Sequence, residues 1–200
     1  MKVVPPTAAG IADAARAIRD GQVVAYPTDT VYGLGADPFN VDALEKIFAL
    51  KRRQKDAPLL LIAADIDQVE AIVESISPAA RRYADAFWPG PLSLLLPRSH
   101  SLPEMVTAGL SQVCVRIPDH ETARALCGEV GRVIVSTSAN PSGEAPAYSV
   151  AELQLPGIAI AIDEGALSPG PPSTILDPET GAVLREGAVT ASMLARVIQM

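Results

Sequence analysis

The chain has 200 residues, 48% hydrophobic and 20% charged, the profile of an ordinary soluble chain that can bury a core without a disulfide or metal staple. Its 23 acidic side chains outnumber 16 lysines and arginines, giving a net charge of -7, and 4% of residues are aromatic. These values exclude a broad electrostatic grip on nucleic acid and an extended base-stacking surface, but not a small cationic pocket.

Along the chain, Thr7 is placed to cap a helix carrying Ile11, Ala14, Ala15 and Ile18 at 3-4-7 spacing, and Gly21 ends it. "QVVAY" (22–26) reads as a short buried strand closed by Pro27. In "YPTDTVYGLGADP" (26–38) two glycines follow a small polar run, so the backbone there can approach a ligand closely. The match to a dinucleotide fingerprint is partial, because Pro38 stands where the third glycine belongs. A helix from Asn40 to Lys51 places Leu44, Ile47 and Phe48 on one face, and Lys51 continues that face inward.

"PLLLIA" (58–63) is a continuous apolar strand, followed by helical stretches over 66–74 and 78–87. "LSLLL" (92–96) and "VCVRI" (113–117) are strands, 121–129 a helix, and "RVIVS" (132–136) another strand. Ser149 and Glu152 fit a capping box. "IAIAI" (158–162) is a strand; "STILD", a Pro178–Gly181 turn and "AVLRE" form a hairpin, and a final helix covers 190–199. Strands alternating with helices and then a hairpin predict one α/β domain over 1–200, with helices packed on a mixed sheet.

Four stretches carry candidate chemistry. Lys51, Arg52, Arg53 and Lys55 gather cations at the mouth of a buried strand; they either complement a helix C-terminus or hold an anion, with Lys51 and Arg53 able to reach the same one. "VIVSTSANPSGEAP" (133–146) leaves a strand for a hydroxyl- and amide-rich loop suited to phosphates or simply to its own hydrogen bonds. Arg116 lies inside an apolar strand, where an unpaired charge would cost several kcal/mol, so it is salt-bridged or aimed at a ligand. Arg185 poses the same question at the end of the last strand. Cys114 and Cys127 lack metal-site spacing and read as reduced thiols, the two histidines are too scattered for a metal site, and no run of about 18 apolar residues predicts a membrane span. With no apolar stretch near the start long enough for a signal peptide, the expected location is the cytoplasm.

Seven segments in order, "PTDTVYGLGAD", "KRR", "WPGPLSLLL", "VCVRIPDH", "STSANPSG", "PSTILD" and "LREGAV", resemble the YrdC family in its short, single-domain type, over roughly 11–189. The resemblance implies an open, twisted mixed sheet flanked by helices around an electropositive concave cavity. It also implies formation of threonylcarbamoyl-AMP and pyrophosphate from L-threonine, bicarbonate or carbon dioxide and ATP with its Mg2+. The product would pass to a tRNA threonylcarbamoyl transferase complex. By the same resemblance Lys51 and Arg53 are catalytic, and with Ser138, Asn140 and Arg185 bind the nucleotide; Thr30, Arg116, Ser173 and Thr174 bind substrate. Two positions depart from the family: Gln54 replaces a usual proline, and Ser93 a usual threonine. The alternative reading is a YrdC-like protein that binds tRNA or double-stranded RNA, or serves ribosome maturation, without ATP chemistry.

Overall fold

The structure, a computed structural model, describes residues 1–52 and 57–198. Its ten strands are β1 (Lys2–Val4), β2 (Val24–Tyr26), β3 (Gly33–Gly35), β4 (Leu60–Ile62), β5 (Leu92–Pro97), β6 (Gln112–Arg116), β7 (Ile134–Ser138), β8 (Ile160–Ile162), β9 (Thr174–Leu176) and β10 (Val183–Arg185). The helices are α1 (Ala8–Arg19), α2 (Val41–Lys51), α3 (Ile66–Glu70), α4 (Pro78–Phe87), α5 (Glu104–Thr107), α6 (Glu121–Val130) and α7 (Ala191–Ile198). The strands form one open sheet in the order β1-β8-β2-β3-β7-β4-β6-β5-β9-β10. It is mixed as expected: β4 lies parallel to β6 and β5 to β9, while β7 runs antiparallel to both its neighbours and β9-β10 is the expected hairpin.

Alternation along the strands sorts the side chains onto two faces. Leu61, Val115, Val135, Leu94 and Leu34 point to the face covered by α2, α3, α4, α5 and α7, and join the larger core. On the other face Val24, Tyr26, Ile62 and Ile134 pack beneath α1 and α6, which lie against each other and bring Ala14, Ala15, Ile18, Leu126 and Cys127 to the same cluster. This second layer is too small to cover its face. The uncovered part carries Leu60, Cys114, Arg116, Ser136 and Ser138, and it is there that the sheet becomes a cavity floor.

Most helix boundaries follow from local chemistry. Thr7 Oγ1 accepts from the Gly10 amide, Asn40 Oδ1 from Ala43, and Ser77 Oγ from Ala80, each satisfying an otherwise orphaned first-turn donor. Helix α3 stops at Glu70 rather than continuing to 74, because residues 72–74 turn to the sheet: Glu74 donates to Pro97 O and Ser99 to Ile72 O. The expected capping box is not formed, and the segment holds a single 3-10 turn, Val150–Glu152. Glu152 accepts from the Tyr148 amide rather than from that of Ser149, and Ser149 makes no side-chain cap.

Strand β3 divides the two glycines expected to let the backbone approach a ligand: Gly33 lines the cavity and Gly35 does not. "GLG" is a buried strand between β2 and β7, and a Cβ on Gly35 would come within 2.9 Å of the Tyr26 ring. Gly35 is small because that ring lies across it. Strand β1 and helix α5 went unpredicted; each is of at most four residues, too short for periodicity to register.

Candidate active site

Helix α2 delivers the first cation. Its buried face carries Leu44, Ile47 and Phe48, and Lys51, one turn beyond Ile47, lies on the same face with 3% of its surface exposed. The Lys51 ammonium donates to Ser138 O at 2.6 Å, Asn140 O at 2.8 Å and Ser138 Oγ at 3.1 Å. The Lys51 carbonyl in turn accepts from the Ser142 amide. Asn140 closes its own loop, donating from Nδ2 to Glu144 O and Pro141 O. Strand β7 and the loop after it are thus fastened to the end of α2 by a charge. Arg53, the expected companion of Lys51, and Gln54 lie outside the described residues.

Arg116 leaves β6 on the cavity side, and of the two readings of its charge the ion pair is realised. Nη1 donates to both Asp29 oxygens, at 2.7 and 2.8 Å, with 4% and 12% of the two side chains exposed. Asp29 sits in a turn folded by Thr28, whose hydroxyl accepts from the Thr30 and Val31 amides and donates to Val31 O. The same turn brings Thr30 to the cavity wall.

The hairpin supplies the far wall. Arg185 grips Ser173 at two points, with Nε on the carbonyl oxygen at 3.0 Å and Nη2 on Oγ at 2.9 Å. Thr174 is not on that wall. Successive side chains of a strand face opposite ways, so with Ser173 and Ile175 on the cavity Thr174 turns into the core, where its hydroxyl donates to Val189 O and accepts from Gly187 and Val189 amides.

Thr30, Lys51, Arg116, Ser138, Asn140, Ser173 and Arg185 line one cavity of about 640 Å3. Its charged walls are Lys51, Arg116 and Arg185 against a single carboxylate, Glu144, among the described residues. Burial lowers the proton affinity of the Arg185 guanidinium, and the charge of Arg116 pushes it the same way. Burial also drives the Cys114 thiol up to about 12, against the opposing pull of both arginines, so Cys114 stays neutral between them. Sequence reasoning had not singled out Asp29 or Cys114. Cys114 was detectable, since it stands two residues before Arg116 on one strand and must share its face. Among the described residues no three His, Cys, Asp or Glu side chains cluster as metal ligands, and no helix is long and apolar enough to cross a membrane.

Comparison with known proteins adds four likenesses. The family model Sua5_yciO_yrdC, described as "Telomere recombination", matches residues 16–187. A Methylococcus capsulatus protein named threonylcarbamoyl-AMP synthase is 43% identical over 175 residues, covering 86% of this chain and 94% of its own. The crystal structure of Pyrococcus abyssi Sua5 complexed with L-threonine is 40% identical and superposes with a TM-score of 0.88 over 94% of this chain; the match spans 57% of the Pyrococcus chain. Escherichia coli YciO, at 24% identity and a TM-score of 0.81, shares the fold over 95% of its length.

Proposed function

The chain belongs to the Sua5/YciO/YrdC family, and from that premise we propose that this cavity is where L-threonine, bicarbonate and ATP are joined into threonylcarbamoyl-AMP, with release of pyrophosphate. Threonylcarbamoyl-AMP synthesis, a nucleotidyl transfer that uses ATP and serves tRNA modification, is the activity of this chain. One observation carries the assignment to the cavity: three cations and the hydroxyl and amide groups of Ser138, Asn140 and Ser173, from segments up to 134 positions apart (Lys51 to Arg185), line a single space. About 640 Å3 is within the usual range for a small-molecule site.

The threonine amine condenses with bicarbonate to give a carbamate and water. A carbamate oxygen then attacks the α-phosphorus of ATP, a P–O bond forms, and the bond to pyrophosphate breaks. Negative charge is spread over several oxygens throughout, and no bond to the protein is required, so fixed positive charge and positioning supply the catalysis. Lys51 holds the Ser138–Asn140 loop in shape and keeps its charge in the cavity, where the phosphates are received. Arg185, whose charge Arg116 opposes, is relieved by an anion bound in the cavity, which Thr30 and Ser173 also line. Mg2+ arrives with ATP as part of the substrate. We place the protein in the cytoplasm, where it hands its product to a tRNA threonylcarbamoyl transferase complex.

The test is pyrophosphate release from Mg-ATP with L-threonine and bicarbonate added singly and together. Release that requires both supports the reading; no release from folded protein overturns it.

A further inference from the structure

Ser93 lies behind the cavity wall, on β5, with none of its surface exposed, and it does not line the cavity. Its hydroxyl donates to Ser173 Oγ at 3.1 Å. A buried hydroxyl proton needs an acceptor, and the other neighbour, the Cys114 thiol held neutral by burial, is a weak one. Ser173 Oγ also accepts from Arg185 Nη2 at 2.9 Å, a group that can only donate. A serine hydroxyl has two lone pairs and one proton. With both lone pairs of Ser173 engaged, its proton is left to point away from Ser93 and Arg185, toward the cavity it lines.

We infer that Ser93 is a positioning residue: by donating to Ser173 it fixes that hydroxyl as a hydrogen-bond donor to a carboxylate-type oxygen of the substrate. The inference rests on the activity proposed above. It gives Ser173 one polarity. The side chain receives an anionic oxygen, from the L-threonine carboxylate or from bicarbonate, and does not accept from the threonine ammonium or hydroxyl. The guanidinium on Oγ polarises the O–H bond and strengthens the donor. Ser93 acts without touching the substrate, and a threonine at 93 would donate as well.

The experiment is a double-mutant cycle on the full chain with Ser93→Ala, Ser173→Ala and both together, plus Ser93→Thr. Affinity for L-threonine and for ATP is read by calorimetry, and KM for bicarbonate by pyrophosphate release. Loss of one directed hydrogen bond corresponds to about three- to tenfold. Ser93→Ala is expected to weaken L-threonine or bicarbonate by that factor with ATP affinity within about twofold, and Ser93→Thr to match the wild type. The Ser93→Ala loss should vanish in the Ser173→Ala background. Which co-substrate is weakened identifies the source of the oxygen. Additive losses, an equal loss for ATP, or a Ser93→Ala protein indistinguishable from wild type overturns the inference. Calorimetry measures the coupling toward L-threonine without turnover, so an inactive wild type overturns the activity while the L-threonine arm of the cycle still reads the role of Ser93.

Discussion

Removing Asp29 isolates the energetics of the site from its chemistry. The Arg116 guanidinium, 4% exposed, has the Asp29 carboxylate as its one counter-charge within salt-bridge distance among the described residues. Asp29→Ala leaves a buried cation uncompensated, a change that costs about 3–5 kcal/mol. For a chain of 200 residues each kcal/mol moves Tm by about 2–4 °C, so the melting midpoint should fall by about 6–20 °C. Replacing Arg116 as well, in Asp29→Ala/Arg116→Met, removes the stranded charge and should recover more than half of the loss, because apolar substitutes for a buried pair are often neutral or better. Pyrophosphate release should not recover with it, since the double variant regains stability without its cavity arginine. Scanning calorimetry reads the first quantity and the synthase assay the second. A fall of less than about 3 °C for Asp29→Ala, or no recovery in the double variant, would refute the reasoning that the pair is dry and mutually dependent.

Lys51→Ala and Arg53→Ala are each expected to lower turnover at least about a hundredfold, the scale of losing one contact to transition-state charge; near-normal rates for both would remove them from the phosphate site. Cys114 makes a pH prediction. Its thiol loses a proton near 9 when unfolded and at about 12 when folded. Its contribution to stability is therefore intact below pH 9 and declines as the pH climbs toward 12, where the unfolded chain has released a proton that the folded one retains. Urea titrations from pH 8 to 11 should show Cys114→Ala losing stability less steeply than wild type, and parallel slopes would contradict this.

Much of the site was legible because charge in an apolar pattern is conspicuous. The phase of Leu44 and Ile47 aimed Lys51 inward, and Arg116 interrupted a run of Val and Ile. The strand period of two also contained the answer for Ser173 and Thr174, which cannot both face the cavity. Asp29 was hidden for a different reason. In "PTDT" an aspartate is ordinary turn chemistry, and nothing local announces a partner 87 positions away. Gly35 misled through the same limitation: its close approach is to the Tyr26 ring and not to a ligand, whereas Gly33 does reach the cavity.

The distances in sequence spanned by the site bear on how it comes into being. Lys51 meets Ser138 and Asn140 across 87 and 89 positions, Asp29 meets Arg116 across 87, and Ser93 meets Ser173 across 80. Each link closes a long loop, whose entropy must be spent before the contact returns anything. Topologies dominated by such links have high contact order and fold slowly. The cavity is accordingly a late product of folding: collapsed intermediates that already hold helices and local strand pairs would lack it. Recovery of ligand binding during refolding should then trail recovery of secondary structure.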